Sequence, residues 1–500
     1  MDFARNRLVV NALRLLWTVL AVWYEHFIFL HSVRQCVWPD SKLQARKDLF
    51  LPRPTHVLVV ADPQILDHRS YPGRAPLLTY VSQLLVDLNL RKNWRASLRL
   101  QPDVVVFLGD MMDGGRFAMS DSEYEQYYSR FKSIFSLDAS IPSYWIPGNH
   151  DTGLGTSDQF SRAAEARYIS HFGPLNDRVT IANHTVILLD APSFAEEDGH
   201  APAQGGPSEF VMLYANSKDQ DPVVLFTHIP LSRPEGSDCG PYRERGTIRK
   251  GAGFGYQNTL GKSASDFLLQ NLQPSVIFSG DDHDYCEYTH SYVSGGKTRH
   301  VREVTVKSLS MAMGIRQPGI QLLSLVPPDP MHGSLSHSDS LCLLPDQLGI
   351  YLSTYIPFLV FSLLVICFAN IYKIRTSQYS ASLAPSYAPL SSALRSHSDS
   401  GRHGDAWLNY PPEDDALPRP AAFKNAPRPL YSWTFVLLSR RRRISISADS
   451  MSSLASLLCG CCGGDVPKSR GTARGILYDV RDVAVFPLAI FGVLAWWMFR

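Results

Sequence analysis

Five short stretches of this 500-residue chain carry side chains able to hold divalent cations: ADPQ at 61 to 64, GDMMDGGR at 109 to 116, GNHD at 148 to 151, THIP at 227 to 230 and GDDHD at 280 to 284. They supply Asp62, Gln64, Asp110, Asn149, His228, Asp281 and His283. Carboxylate, amide and imidazole donors of this kind suit the harder divalent metals. Two such ions roughly 3.5–4 Å apart can grip a phosphoryl oxygen and lower the pKa of a bound water together. The set reads as a binuclear centre for phosphate ester hydrolysis, with Asp110 bridging the ions and His150 stabilising or protonating a departing oxygen. Asp113 and Arg116 read as braces of the Asp110 loop.

Taken singly, each motif is ordinary. An Asp after a strand is commonly a turn residue, and a His after an apolar run is commonly a core residue. What carries the reading is that all five follow runs of strand formers, VLVV, VVVFL, YWIP, VVLF and SVIF. Each motif then leaves the end of a buried strand, and distant parts of the sequence meet in one cleft. Between the strands lie amphipathic stretches such as LLTYVSQLLVDLNLRKNWRASLR and DSEYEQYYSRFKSIFSL, which predict helices packed on a sheet and an α/β domain over 45 to 325. The segment from Arg233 to Lys262 is rich in Gly and Arg and is read as a loop over the cleft. Its Arg243, Tyr256, Gln257 and Asn258 are the candidate substrate contacts, and Asp282 or Asp284 the candidate receivers of a substrate ammonium.

Three apolar segments frame the domain: 8 to 30, interrupted by Arg14, Glu25 and His26, then 350 to 372, and 482 to 499, which contains Pro487. The first reads as an uncleaved signal anchor and the others as membrane helices. Arg5 and Arg7, Lys373 and Arg375, and Arg470, Arg474 and Arg481 place their flanks on the cytoplasmic side and the folded domain across the membrane. A lumenal domain agrees with the sequon at Asn183. Cys239 and Cys286 either pair there or remain buried thiols. Residues 373 to 481, rich in Ser, Pro, Ala and Arg, are expected to be a disordered cytoplasmic loop, carrying the RRRR run at 440 to 443 and a cysteine cluster at 459, 461 and 462. With 48 basic against 46 acidic residues there is no electrostatic footprint for nucleic acid.

The motif set resembles the calcineurin-like metallophosphoesterase superfamily, over roughly residues 55 to 310. The resemblance implies a sandwich of two β-sheets flanked by helices, here with transmembrane helices on either side. It implies a first metal on Asp62, Asp110 and His283, and a second on Asp110, Asn149, His228 and Asp281. Gln64 stands where that superfamily usually has a histidine, and so does Asp281. With GDDHDYC and the flanking spans, these departures resemble the fungal cell-division-control and ER-cargo-trafficking phosphoesterases, relatives of the animal post-GPI-attachment phosphoesterase.

That resemblance implies an enzyme of the endoplasmic reticulum membrane that removes an ethanolamine phosphate branch from a mannose of a GPI-anchor glycolipid or GPI-anchored protein. It also implies contact with ER cargo-export machinery. Exchanging imidazoles for Gln and Asp hardens the site and favours Mn²⁺ or Mg²⁺ over zinc, and two manganese ions are what the resemblance implies as well. Two other readings use the same residues: an ER cargo or quality-control binding protein with a weakened metal site, and a phosphatase for soluble phosphoesters.

Overall fold

Among the described residues, thirteen strands lie between the first two long apolar helices: β1 (Thr55–Val60), β2 (Val104–Phe107), β3 (Ser143–Trp145), β4 (Asp177–Ile181), β5 (His184–Leu189), β6 (Val223–Thr227), β7 (Ala252–Gly253), β8 (Tyr256–Gln257), β9 (Val276–Ser279), β10 (Cys286–Ser294), β11 (Lys297–Thr305), β12 (Gly319–Leu325) and β13 (His337–Leu343). The computed structural model describes residues 2–43, 53–155, 157–198, 203–217, 221–329, 335–382, 429–437, 440–447 and 472–499. It comprises two units, residues 1–370 with 476–500, and residues 371–475.

Two sheets, in strand orders β13-β12-β1-β2-β3 and β10-β11-β9-β6-β5-β4, stack face to face, and β7 and β8 form a separate small hairpin. Alternation along the strands explains the stacking. Val57 and Val59 of β1 and Val104 and Val106 of β2 enter the core between the sheets, with Val224, Phe226, Val276, Phe278 and Val304 from the other side. Leu58, Val60, Val105 and Phe107 point the other way, onto Trp94, Phe131 and Phe135 of the covering helices Pro76–Ser97 and Asp121–Ile134 and the turn that follows. Helices Pro207–Ala215 and Lys262–Leu272 cover the outer face of the second sheet through Val211, Leu268 and Leu269. Each such apolar side chain contributes about 1.5–3 kcal/mol on burial. The sandwich therefore carries the polar cleft, and the cleft need not stabilise itself. The expected sandwich of two sheets flanked by helices is observed.

The domain continues one strand beyond the expected end at 325. Edge strand β13 pairs antiparallel with β12, and its sequence HSDSLCL is too polar to read as a buried strand. A second omission goes with it: Cys342 of β13 is disulfide-bonded to Cys36, 306 residues earlier. Cys239 and Cys286 form a second bridge. Asn183 lies exposed in the β4–β5 turn, where Ala182 and Asn183 both have positive φ.

Among the described residues, three helices are long and apolar enough to cross a membrane, Arg7–Arg34, Gln347–Thr376 and Ala473–Phe499. The charges that interrupt the first have partners. The Arg14 Nε donates to the Asp482 carbonyl at 2.6 Å. Glu25 is buried, forms an ion pair with the equally buried Lys92 of helix Pro76–Ser97, and accepts from Tyr355 Oη at 2.9 Å. Arg95 donates to the Trp497 carbonyl at 2.9 Å and stacks over the Trp497 ring. Lys92 Nζ also donates to Gln347 Oε1 at 3.3 Å, so the two-sheet domain is tied to the domain-side ends of all three helices.

The expectation of disorder across 373 to 481 needs correcting at the described positions. The second long helix runs on to Ser382 and the third begins at Thr472. Between them β14 (Pro429–Leu437) and β15 (Arg440–Ser447) form an antiparallel hairpin, where aromatic and β-branched residues alternate in sequence. The RRRR run falls in β15, whereas Cys459, Cys461 and Cys462 lie outside the described residues.

Candidate metal centre

Strands β1, β2 and β3 are mutually parallel, as are β5, β6, β9 and β11, so their C-terminal ends gather at one edge of the sandwich. Asp62 follows β1, Asp110 follows β2, Asn149 follows β3, His228 follows β6, and Asp281 and His283 follow β9. The backbone there is unusual. Asp62, Gln64, Asp110, Asp281 and His283 have φ of 46°, 30°, 53°, 64° and 66°. Left-handed conformations in such residues cost about 1–3 kcal/mol each and persist where the surrounding structure enforces them for a purpose. Gly109, with φ 93°, permits the approach: a Cβ there would lie 2.5 Å from His228 Nδ1.

All seven candidate ligands converge. Ligand atoms of Asp62, Asp110 and His283 lie within 4.8 Å of one another. His228 Nε2 lies 3.0 Å from Asn149 Oδ1, 3.4 Å from Asp110 Oδ1 and 3.5 Å from Asp281 Oδ1. Its Nδ1 faces the Leu108 carbonyl at 2.6 Å. That acceptor holds the proton on Nδ1 and leaves the Nε2 lone pair for a cation. Gln64 does two things at once: Nε2 donates to Asp110 Oδ2 at 2.8 Å, and Oε1 is left buried.

The electrostatics call for positive charge. Burial pushes the Asp62 carboxyl well above its ordinary range, and Asp110 and Asp281 push it further, against the pull of His228. Burial opposes a charge on His228, yet Asp110, Asp281 and Asp62 lift its pKa well above normal. Asp62 Oδ2 and Gln64 Oε1 are buried acceptors without a hydrogen-bond partner. An unsatisfied buried polar group costs about 1–3 kcal/mol. Cations would satisfy these oxygens and neutralise the carboxylates, so the residues present fit divalent metal ions.

His150 stands beside this cluster. Its N–H donates to Asp110 Oδ1 at 2.9 Å, and Nδ1 faces the Asp113 carbonyl at 2.7 Å and Asp113 Oδ1 at 3.2 Å. Nε2 is then the end that can meet a substrate. Burial alone would lower the imidazole, but Asp110 and the Asp113 hydrogen bond outweigh it and push it up to about 9.

Four supporting groups were not singled out by sequence reasoning. Asp151 receives the amides of Met111, Met112 and Gly148 and locks the Asp110 loop to the Asn149 loop. Ser308 bonds the Asp62 carbonyl through Oγ and the His283 carbonyl through its amide. Glu303 accepts from Ser279 and pairs with His290 and Arg233 at 2.6 and 2.9 Å. The fourth is a backbone group, the Gly255 carbonyl, which accepts from Asn149 Nδ2 at 2.7 Å and Arg116 Nη1 at 2.8 Å. Only the identity of Asp151, adjacent to GNH, was visible in a motif.

The Arg233–Lys262 segment does reach the centre, but not through the side chains expected. Arg243 is paired with Asp282, and Asp284 with Lys307, so neither acidic group is open to a substrate ammonium. Gln257 Nε2 donates to Thr259 and Asn258 Nδ2 to Arg249, within the segment itself. Tyr256 presents an exposed ring. The hairpin tip instead orients Asn149 through Gly255, whose φ is +69° and whose added Cβ would sit 2.9 Å from Arg116 Nη1 and Phe160 Cζ. Gly255→Ala is expected to weaken metal binding about 10- to 100-fold, the usual range for losing a group that orients a ligand. Titration of the metal-free protein with Mn²⁺, followed calorimetrically, checks this; unchanged affinity would show that the tip does not orient Asn149.

A two-sheet sandwich with carboxylate, amide and imidazole ligands at its strand ends defines a class, and the chain belongs to it: residues 55–285 match the calcineurin-like phosphoesterase family, making the protein a phosphoric ester hydrolase. It is 35% identical over 359 residues to Cell division control protein 1 of Saccharomyces cerevisiae, an alignment covering 67% of this chain and 70% of that one. It is 26% identical over 314 residues to the Metallophosphoesterase 1 homolog of Caenorhabditis elegans, covering 60% and 77%. Metallophosphoesterase 1 of Ailuropoda melanoleuca is likewise 26% identical, over 337 residues, covering 61% and 78%.

Proposed function

We propose that the protein is an endoplasmic reticulum membrane phosphodiesterase, with its domain in the lumen, that uses two Mn²⁺ ions to remove ethanolamine phosphate from a mannose of GPI anchors and so supports export of GPI-linked cargo. The observation that supports this most directly is the attachment of the metal-site domain to all three membrane helices. A soluble phosphoester would give no reason to hold the cleft at a fixed height, whereas a lipid-linked one does.

When bound, the ions would supply Lewis acidity at the phosphoryl oxygens and an activated water. Asp62, Gln64, Asp110 and His283 would hold one, and Asp110, Asn149, His228 and Asp281 the other. The chain's own contribution is positional: Gln64 and the His150 amide fix the two oxygens of Asp110. His150 is held by Asp113 as a proton donor for the departing sugar oxygen.

The deciding experiment compares GPI glycans, by mass spectrometry, from cells lacking the protein and from cells rescued with wild type or Asp110→Ala. The ethanolamine phosphate branch is expected to persist in the null and in the Asp110→Ala rescue and to disappear with wild type. Identical glycans in all three would end this reading.

A further inference from the structure

Where the membrane helices meet the catalytic domain there is an open cleft of about 1110 Å³. One wall is apolar and built from the helices themselves, with Ile28 from the first span and Leu348 and Leu352 from the second, faced by Leu85 and Val86 of helix Pro76–Ser97. The other wall carries three guanidiniums, Arg74, Arg245 and Arg316, against a single carboxylate, Asp346, which pairs with Arg316 through Nε alone at 3.3 Å, so the wall keeps a net positive charge. Leu85 also lines a second, almost wholly apolar groove of about 400 Å³ between the three apolar helices. Beside the cleft, the first turns of helix Pro76–Ser97 expose Leu77, Leu78 and Tyr80 at 72%, 58% and 63%. A helix start this apolar, adjoining membrane spans, belongs in the bilayer interface and not in water.

We infer that this cleft binds an anionic diacyl phospholipid, its phosphate on Arg74, Arg245 and Arg316 and its chains against Leu348, Leu352 and Leu85. Charge and polarity together select the occupant. The N–H fork of each guanidinium matches phosphate oxygens, and the apolar wall continues into the exposed Leu352, Ile356 and Leu359 of the second apolar helix. A protein partner would have to fill a wall built from helices apolar enough to cross a membrane; a soluble anion would leave that wall unfilled. The walls are also joined to the metal centre. The loop of Met311 and Arg316 follows Ser308, which holds Asp62 and His283, and Arg245 follows the segment that Asp284 anchors by accepting the Glu244 amide. The inference rests on the membrane placement proposed above but not on the identity of the hydrolysed substrate.

The test uses the full chain in phosphatidylcholine nanodiscs doped with phosphatidylinositol carrying a photoactivatable acyl chain. Crosslinks are expected on peptides containing Ile28 or Leu348 to Leu352. Labelling is expected to fall about tenfold in Arg74→Glu/Arg316→Glu, while hydrolysis of a soluble phosphodiester stays as in wild type and reports an intact fold. Leu352→Trp, which fills the apolar wall, is the second variant and is expected to reduce labelling without altering charge. Equal labelling of wild type and both variants, equal labelling by a phosphatidylcholine probe, or displacement of the probe by inorganic phosphate would each overturn the assignment.

Discussion

Asp110→Ala is expected to abolish stoichiometric metal binding and to slow phosphodiester hydrolysis by about a thousandfold or more, equivalent to roughly 4 kcal/mol at the transition state. The size follows from how much converges on one carboxylate. Asp110 is buried, its Oδ2 receives Gln64 and its Oδ1 receives the His150 amide, and His228 Nε2 approaches Oδ1 at 3.4 Å. Alanine removes the group shared by both halves of the ligand set, leaves the Gln64 amide without its acceptor, and frees His150 from one of its anchors. Metal content by plasma mass spectrometry and hydrolysis of a soluble phosphodiester are the measurements. A variant that retains metal and rate would mean that the buried carboxylates serve only the fold.

The second large effect concerns stability. Glu303 is fully buried in β11, where Ser279, His290, Arg233 and the Leu231 amide surround it. Burial pushes its carboxyl up, but the Arg233 charge, the His290 hydrogen bond and the Ser279 hydroxyl outweigh that and hold it at about 2, against an ordinary 4.5. Glu303→Gln keeps the shape and removes the charge, leaving Arg233 buried and uncompensated. Breaking a buried pair on one side costs about 3–5 kcal/mol, which at roughly 2–4 °C per kcal/mol lowers Tm by about 6–20 °C.

The pH dependence has a definite sign. A carboxyl whose folded pKa lies below its unfolded one stabilises fully above the unfolded value, and the contribution is lost as pH falls toward the folded value. A depression of this size corresponds to about 3 kcal/mol. Wild type should therefore lose stability between about pH 4.5 and 2, and Glu303→Gln should lose less over the same interval. Parallel curves for the two proteins would show that Glu303 does not hold that charge.

Much of the centre was legible in sequence because its chemistry is concentrated at strand ends. VLVV before ADPQ and SVIF before GDDHD announce both a buried strand and the loop that leaves it, so direction and position of the ligands come together. What pattern reading lost is what depends on partners far away in the chain. Cys36 and Cys342 have no motif and are joined only because the first membrane helix ends beside an edge strand. Glu25 reads as a flaw in an apolar span until Lys92 is placed against it. Arg243 looked available for substrate because nothing in its own segment shows that Asp282 takes it. Gly255 contributes a carbonyl, which no residue identity can advertise.

The Cys36–Cys342 bridge has a mechanical consequence. Cys36 lies just past the first long apolar helix and Cys342 just before the second, so the bridge closes nearly the whole catalytic domain into a covalent ring with its clasp at the ends of those helices. Tension arriving through the first two long apolar helices passes across that clasp. Strands β1 to β12, and the ligands at their ends, lie off the load path.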